Sequence, residues 1–459
     1  SENSPFLPIL KYGILKENRG STMAKKPTLI LMASFAGLIL LGASLLKLPF
    51  ATAAPISWLD ALFTATSAVC VTGLVVMDTA DSFTMFGEIV VLTLIQLGGL
   101  GFMTVSSFLL LFFKRRISLQ DKLILQESFN AHSTEQAFYL LKRIVIYTLI
   151  IELIGAIILA IRFSFDMPVT KAIYYGIFHA ISMFNNAGFD LFGGFSSLIG
   201  YESDIVVVFT VCSLILFGGL GFIVIDELRH FRKGKQLSLH SKVILSMTAF
   251  LVIGGTIAVW FFETRSGGAL VNATLKEQLL GALFHSVTPR TAGANTLPMN
   301  ELTIPTLLMT IVFMFIGGGS GSTAGGVKIA TITVLAAVIW SQLRGTNETI
   351  LWKRTISHSL VLKAFTLVSC SAIWVFITTI VLAMTTDGYT MITYLFEATS
   401  AFGTVGLSLG ITPMLSPVSE VMIMLTMFIG RLGTLTILFV LLARPANRFR
   451  YPNENLMIG

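Results

Sequence analysis

Four copies of one pattern carry the residues of this chain that could do chemistry. Each copy has a phenylalanine, a hydroxyl residue four positions later, and a glycine nine or ten positions after the phenylalanine. Glycine reaches backbone angles denied to other residues and lets chains approach closely. A ring of carbonyl oxygens that replaces the hydration shell of an alkali ion needs both properties. Four equivalent copies therefore predict one pore. The copies read ALFTATSAVCVTGL (61–74), GIFHAISMFNNAGF (176–189), ALFHSVTPRTAGA (282–294) and YLFEATSAFGTVGL (394–407).

The predicted selectivity filter consists of each repeat glycine and the two residues before it, with K⁺ bound at backbone carbonyls near the four glycines. At any single copy a plain turn is the simpler interpretation, but four matched spacings favour the filter. One glycine per copy predicts a filter shorter and less selective than that of ordinary potassium channels. The filter residues are Val71, Thr72, Gly73, Asn186, Ala187, Gly188, Thr291, Ala292, Gly293, Thr404, Val405 and Gly406.

Composition places the chain in a lipid bilayer. Of its 459 residues, 54% are apolar and 12% are charged, and the mean hydropathy is +0.83. A soluble domain is nearer to a quarter charged, and each bilayer crossing needs about 20 apolar residues. The sequence therefore predicts an all-α integral membrane protein. A soluble fold would leave most of this apolar surface uncovered.

The net charge of +7 reflects membrane topology rather than a nucleic-acid partner. Five clusters hold 23 of the 31 Lys and Arg residues. Each cluster follows an even number of predicted crossings, so all five lie on one face, which the positive-inside rule makes cytoplasmic. We therefore expect cytoplasmic N- and C-termini in the plasma membrane. The clusters span 11–26, 114–143, 229–242, 344–363 and 444–450.

Each repeat reads as helix, re-entrant half-helix, loop and helix, which predicts eight spanning helices and four half-helices in pseudo-four-fold symmetry around one pore. A non-helical stretch at membrane depth must line water, and half-helix C-termini favour a cation. The half-helices lie near 58–69, 171–184, 276–288 and 390–402, and the second spanning helices near 84–113, 203–228, 303–342 and 418–443. The predicted segments are a cytoplasmic N-terminus (1–27), repeat 1 (28–113), repeat 2 with its preceding loop (114–228), repeat 3 with a gating loop (229–342), repeat 4 (343–443) and a tail with a candidate dimer contact (444–459).

The second helices share a glycine motif, GGLG at 98–101 and 218–221, GGGSG at 317–321 and GRLG at 430–433. Close helix packing explains the first two. The third opens a run that cannot stay helical, since each Gly costs about 1 kcal/mol. A phosphate-binding loop is disfavoured because no G-K-[ST] ending follows. We predict a flexible gate below the filter. Its residues are Gly317, Gly318, Gly319, Ser320, Gly321, Ser322, Thr323, Ala324, Gly325 and Gly326.

Arg431, inside the fourth glycine motif, is the second unusual feature of these helices. A guanidinium at membrane depth costs about 2.5–3.5 kcal/mol or more unless it is paired or wetted. Its mid-helix position argues against snorkelling to an interface. We therefore predict that Arg431 lies beside the cavity below the filter, as an electrostatic barrier or a partner of the gate loop.

Other polar residues receive mainly structural predictions. Arg290 would repel a cation, so we expect it to point away from the axis and to brace its loop by hydrogen bonds. Four residues at one matched half-helix position should tie each half-helix to a neighbouring loop, and four outer acids either concentrate cations or are solvated loop charges. The sequence offers no nucleophile–base set, zinc spacing or paired carboxylates, which disfavours an enzyme. The four residues at the matched half-helix position are Thr64, His179, His285 and Glu397, and the four outer acids are Asp78, Asp81, Asp190 and Asp387.

Together the motifs ALFTATSA, VTGL, QLGGLGFMT, FHAISMFNNAGF, TPRTAG, GGGSGSTAGGVK, AFGTVGL and FIGRLG resemble the Ktr/Trk/HKT superfamily of cation transporters, most closely its bacterial KtrB-type subunits. The resemblance covers about residue 28 to the C-terminus. It implies potassium uptake, a homodimer with one pore per subunit, a gate at the glycine-rich loop and a cytosolic nucleotide-binding ring (KtrA-like) as regulator. Sodium is a candidate activator.

Three alternatives stay open. Some plant relatives carry Ser at the first filter glycine and prefer sodium, so a sodium-selective channel is the second choice, although Gly73 matches the potassium pattern. Val69–Cys70 and Ala294 depart from the family's hydroxyl and aromatic residues, which would loosen the filter wall. A membrane scaffold or an intramembrane enzyme would use the repeats for packing alone.

Overall fold

The computed structural model of the protein describes residues 29–101, 134–231, 236–346 and 348–433. These residues are mostly α-helical, with one antiparallel hairpin of Ile350–Leu351 and Arg354–Thr355. The predicted segments 1–27 and 444–459 lie outside them. The α-helices are Leu29–Leu46, Trp58–Cys70, Thr79–Ser82, Met85–Leu100, Thr134–Phe163, Val169–Phe184, Ile205–Leu220, Phe222–Phe231, Leu239–Glu263, Leu275–Val287, Ile304–Phe315, Ile329–Leu343, His358–Thr385, Met391–Gly403 and Pro417–Leu432.

Four short helices occupy the predicted half-helix positions, each within two residues of its predicted bounds. Two of them begin at a capping box. Ser57 and Asp60 each bond the other's backbone, as do Thr274 and Glu277. A capping box satisfies two free N–H groups at the start of a helix, so sequence alone fixes these starts. The four are Trp58–Cys70, Val169–Phe184, Leu275–Val287 and Met391–Gly403.

The repeat phenylalanines anchor these short helices in the interior of the molecule. Phe63, Phe178 and Phe396 have no exposed surface, and Phe284 is 1% exposed. Interiors are packed like crystals of small organic molecules, so four fully buried rings at equivalent positions fix the four short helices against their surroundings. The regular phenylalanine spacing is therefore a packing device that places the glycine segments at the centre.

The second helices of the repeats break at their glycine motifs. Met85–Leu100 ends at Gly101, with φ +81°, and Pro417–Leu432 ends at Gly433, with φ +88°. The predicted continuous helices 84–113, 203–228 and 418–443 are wrong in this respect, and residues 102–113 and 434–443 lie outside the described residues. In repeat 2, Ile205–Leu220 breaks at Gly221, with φ +98°, and Phe222–Phe231 leaves it at 100°. Only glycine adopts such angles without strain, so the last glycine ends the helix in the motifs of repeats 1, 2 and 4, whereas the helix of repeat 3 ends at Phe315, before its motif.

The first glycine of these motifs confirms the predicted close packing. A Cβ on Gly98 would overlap the carbonyl oxygen of Val69, and one on Gly218 would overlap that of Phe184. Gly430 meets the carbonyl of Phe402 in the same way. The second helices of repeats 1, 2 and 4 therefore touch the end of the short helix in their own repeat, backbone to backbone, whereas Gly317 of repeat 3 lies against Gly325.

The fold is that of a multi-pass membrane protein. Among the described residues, four helices are long and apolar enough to cross a bilayer, or five if the bent pair at Gly221 forms one span. Their outward faces are apolar, as Leu149, Leu153 and Ile157 show on the span Tyr139–Phe163. The count of eight spans remains a prediction.

Candidate ion pathway

The four predicted filter segments share one backbone conformation. The residue two positions before each glycine has a positive φ, and so does the glycine itself, at +88°, +72°, +73° and +95° in chain order. A non-glycine residue rarely takes a positive φ, so four such residues at equivalent positions indicate a conformation that the fold imposes on each segment. These residues are Val71 (φ +57°), Asn186 (+61°), Thr291 (+70°) and Thr404 (+49°).

The four segments meet in a closed ring. A Cβ on Gly73 would overlap the carbonyl oxygen of Ala187 and lie 3.3 Å from the Cα of Gly188. A Cβ on Gly188 would lie 3.0 Å from the Cα of Gly293, and one on Gly293 would lie 3.1 Å from the Cα of Gly406. A Cβ on Gly406 would lie 3.0 Å from the Cα of Gly73. Each contact joins one repeat to the next, so the order closes on itself. We call residues 71–73, 186–188, 291–293 and 404–406 the glycine ring.

The repeat hydroxyl groups brace the ring. Ser67 Oγ accepts from Gly73 N at 3.1 Å, and Ser400 Oγ accepts from Gly406 N at 3.1 Å. Ser182 Oγ donates to Phe189 O at 2.7 Å, and Thr288 Oγ1 donates to Ala294 O. Each hydroxyl thus ties the end of a short helix to the residue at or just after the ring glycine.

All four ring glycines line one open cavity of about 490 Å³. Asp78, Asp190, Asn295 and Ser408 contribute polar groups to its walls. The cavity lining thus combines glycine backbone with oxygen-bearing side chains, and oxygen atoms are the groups that replace water around an alkali cation.

The four outer acids have different roles. Asp78 Oδ2 accepts from Phe195 N at 2.6 Å and Asp81 Oδ2 accepts from Gly194 N at 3.1 Å, so both hold the loop of the second repeat. Asp387 is exposed. Asp190 lines the cavity, and burial, with a smaller effect from the charge of Asp78, raises the pKa of its carboxyl to about 6.

Two of the four matched half-helix residues tie their helices to neighbouring segments, as predicted. Thr412 donates to Glu397, and His285 Nε2 lies 2.9 Å from Thr310 Oγ1. His179 instead bonds within its own helix, with Nδ1 2.7 Å from Tyr175 O. The hydroxyl of Thr64 has no hydrogen-bond partner within the described part of the chain, so the prediction fails there.

Arg290 differs from its prediction. It is buried, and its Nε and Nη1 have no hydrogen-bond partner among the described residues. Its carbonyl oxygen does the bracing instead, because it accepts from Asn186 Nδ2 at 3.1 Å. The predicted hydrogen-bonded guanidinium is therefore wrong for these two nitrogens, and the main chain links the second and third segments.

The glycine-rich loop, residues 317–326, interrupts the second helix of repeat 3 between Ile304–Phe315 and Ile329–Leu343. It is held by backbone hydrogen bonds to the broken helix of repeat 2. These bonds are Gly319 N to Gly219 O at 2.7 Å, Thr323 N to Gly218 O at 3.2 Å and Phe222 N to Gly321 O at 3.0 Å.

The far end of this loop lies against the glycine ring. A Cβ on Gly325 would overlap Thr404 Oγ1, and one on Gly326 would lie 3.2 Å from the Cα of Gly403. Lys328, whose role the sequence did not suggest, folds back so that Nζ donates to the carbonyls of Ala324 and Gly325. The loop therefore sits directly beside the fourth ring segment.

Arg431 bridges the glycine-rich loop and the first repeat. Its Nη1 donates to Thr323 O, and its Nη2 donates to Gly98 O at 2.6 Å and to Gly99 O at 3.2 Å. Carbonyl oxygens of the loop and of the first repeat thus pair with the half-buried guanidinium, as a charge within a membrane protein requires. The predicted contact with the loop is present.

Two buried glutamates, Glu152 and Glu263, have roles that were not predicted from the sequence. Glu263 accepts hydrogen bonds from Ala269 N and from both Thr303 N and Oγ1, so it fastens the loop after its helix. Glu152 is 5% exposed inside the span Tyr139–Phe163. A lone acid in a long apolar helix is itself a signal of function, and that signal was available in the sequence.

Comparison with known proteins decides the family. A family model described as "TrkH: Cation transport protein" matches residues 13–449. The chain belongs to this TrkH family of cation transport proteins. It is 40% identical over 444 residues to the potassium/sodium uptake protein NtpJ of Enterococcus hirae, covering 94% of this chain and 97% of that one. It is 38% identical over 433 residues to the Ktr system potassium uptake protein B of Bacillus subtilis, with the same coverage.

The TrkH-family fold is also that of a solved structure. The crystal structure of the potassium transporter TrkH from Vibrio parahaemolyticus superposes with a TM-score of 0.71 at 19% identity, over 91% of this chain and 85% of that one. Family membership confirms the predicted Ktr/Trk/HKT resemblance. It also confirms an ion-transport membrane protein rather than an enzyme.

Proposed function

We propose that this TrkH-family chain is the potassium-conducting subunit of a Ktr-like uptake system and passes K⁺ inward through the glycine ring. The closed ring carries the proposal, because four backbone segments with one conformation surround one axis at the floor of an open cavity. Relatives named for potassium uptake at 38% identity support the choice of ion.

In the proposed mechanism a hydrated ion enters the cavity and exchanges water for carbonyl oxygens of the ring. The C-terminal ends of the four short helices carry partial negative charge and favour a cation there. The membrane potential drives inward movement with about 2.3 kcal/mol per charge per 100 mV. The glycine-rich loop, which packs against the ring at Thr404 and accepts a hydrogen bond from Arg431, would act as the gate below the filter.

The direct test is growth and ion flux in bacteria that lack potassium uptake. We expect the chain, expressed with its cognate regulator, to restore growth at low potassium and to carry Rb⁺ inward. A well-inserted protein without any flux would reject the transport proposal and leave the scaffold alternative.

Partners and topology remain part of the proposal. Following the resemblance, we propose a homodimer with one pore per subunit, a KtrA-like nucleotide-binding ring on the cytosolic face, cytoplasmic termini, and Na⁺ as a candidate activator. Cross-linking of the purified complex and labelling of terminal tags in intact cells would test these assignments.

A second candidate is a less selective pathway that also carries sodium. The relative from Enterococcus hirae, at 40% identity, is named for both ions. One glycine per segment gives a short filter, which favours weaker discrimination. Competition of Na⁺ with Rb⁺ uptake separates the two candidates.

We expect Arg431→Gln to raise basal Rb⁺ flux about fivefold. The change removes a charge from the pathway and weakens the bond to Thr323 O by about 1 kcal/mol, which is a factor of about five in a gate equilibrium. Arg344→Gln, at an exposed arginine, is the matched control and should leave flux unchanged. Wild-type flux in Arg431→Gln would contradict the gate role.

External pH should also affect uptake through Asp190. Because its pKa is raised to about 6, the carboxylate is charged at pH 7.5 and loses its charge as the pH falls through 6. We expect the K⁺ concentration for half-maximal uptake to be about threefold higher at pH 5 than at pH 7.5. This factor corresponds to a screened attraction of about 0.7 kcal/mol between the Asp190 carboxylate and the entering ion. Asp190→Asn should show the higher requirement at both pH values, and an unchanged pH response in that variant would refute the assignment.

A further inference from the structure

The buried carboxylate of Glu152 is bonded to two side-chain amides. Gln96 Nε2 donates to Oε2 at 3.2 Å, and Asn185 Nδ2 donates to Oε1 at 3.0 Å. Asn185 is completely buried and Glu152 is 5% exposed. The three residues come from the second helix of repeat 1, the first helix of repeat 2 and the end of the short helix of repeat 2, so they form one junction among three elements.

Asn185 has a fixed orientation in this junction. Its Nδ2 carries two hydrogens and also lies 2.8 Å from Gln96 Oε1 and 2.9 Å from Ile181 O, so three acceptors share these hydrogens. Its Oδ1 lies on the opposite side, where a Cβ on Gly99 would overlap it. A rotated amide would point its nitrogen at Gly99 and lose these acceptors. The carboxylate and the Gln96 carbonyl therefore select one amide rotamer.

This junction adjoins both the glycine ring and the hydrogen bonds of Arg431. Asn185 directly precedes the ring residue Asn186, whose Nδ2 donates to Arg290 O at 3.1 Å and to Thr291 Oγ1 at 3.2 Å. Gly99, packed against Asn185, accepts from Arg431 through its carbonyl oxygen. The Glu152 contacts thus lie one residue from the second ring segment, and that segment is bonded to the third.

We propose that Glu152, acting through Gln96 and Asn185, is a positioning residue for the glycine ring and a determinant of its discrimination between K⁺ and Na⁺. The proposal rests on the proposed function of the ring as a cation filter. The carbonyl oxygens of a filter replace the hydration shell of the ion, so an anchor that fixes one segment of the ring fixes the oxygens that the ion meets there.

The numbers of hydrogen-bond donors and acceptors at this junction predict which substitutions it tolerates. Amides from Gln96 and Asn185 offer hydrogens that three oxygens accept, two of Glu152 and one of Gln96. In Glu152→Gln the new amide has one oxygen, so its nitrogen must face another N–H donor. The exchange Gln96→Glu with Glu152→Gln keeps one carboxylate and one amide between the two helices and satisfies every donor again.

The experiment measures Rb⁺ uptake and its inhibition by Na⁺ in proteoliposomes, with thermal stability recorded for each variant. We expect Glu152→Gln to lower Rb⁺ over Na⁺ selectivity about tenfold, as for one buried donor left unsatisfied. The double exchange should recover selectivity to within about twofold of wild type. The control is Thr148→Val. Thr148 lies one turn away on the same helix, is also buried, and its hydroxyl has no hydrogen-bond partner among the described residues, so the variant should have wild-type selectivity.

The outcomes separate the two proposals. Wild-type protein that carries no Rb⁺ rejects the transport function, whatever Glu152 does. Conducting wild type with unchanged selectivity in folded Glu152→Gln overturns the positioning role alone. If Glu152→Gln does not fold, recovery of both folding and selectivity in the double exchange supports the role, and failure of the exchange overturns it.

Discussion

Replacing Gly73 with serine should lower the selectivity for K⁺ over Na⁺ at least about tenfold. The position has φ +88°, which costs a residue with a side chain about 1–2 kcal/mol. The new Cβ would also overlap the carbonyl oxygen of Ala187 and press on Gly188, 3.3 Å away. The first and second segments must then separate, which widens the ring, and each 1.4 kcal/mol of lost preference is a factor of ten.

The control for this experiment is Gly388→Ser. Gly388 has nearly the same backbone angle, φ +94°, but nothing lies within 4 Å of a Cβ placed there. It therefore reproduces the backbone strain without the collision in the ring. Selectivity is measured as Rb⁺ uptake against increasing Na⁺ in proteoliposomes. Equal behaviour of the two variants would show that the ring contacts do not set selectivity.

Deleting residues 320–324 should raise basal Rb⁺ flux about tenfold or more. The deletion removes the carbonyl of Thr323 that accepts from Arg431, the bond from Thr323 N to Gly218 O and the bond from Phe222 N to Gly321 O. Each hydrogen bond contributes about 0.5–1.5 kcal/mol net, so their joint loss shifts a closed gate strongly towards open.

The deletion needs a control in the same loop. Ser320→Ala alters a side chain of the loop but keeps its backbone hydrogen bonds, so it should conduct as the wild type does. Flux is recorded with and without the regulator, because a lost gate should also lose regulation. A folded deletion variant with wild-type flux would count decisively against the gate.

Several features of the fold were readable from the sequence because one local signal determines each. The short helices Trp58–Cys70 and Leu275–Val287 start within one residue of their predicted positions, and the four repeat phenylalanines are all buried. The spacing of phenylalanine, hydroxyl and glycine recurs four times, and the structure brings all four glycines to one cavity. Repetition made these predictions strong, since four copies must fit the same explanation.

Other features depend on contacts that no single segment encodes. The 100° bend at Gly221 follows from the glycine-rich loop packed there, a contact with residues far along the chain. The positive φ angles of Val71 and Asn186 arise because the chain must turn sharply into a ring. The role of Arg290 was also predicted wrongly. Its charged side chain suggested that the guanidinium braces the loop, but its backbone carbonyl oxygen makes the hydrogen bond to Asn186.

The most direct measurement is an experimental map of the protein in Rb⁺, with anomalous scattering to locate the ion. The proposed function predicts Rb⁺ density on the axis enclosed by Gly73, Gly188, Gly293 and Gly406, at coordination distance from their neighbouring carbonyl oxygens. A transport-active protein whose four segments lie apart, or whose ion density lies elsewhere, would contradict it.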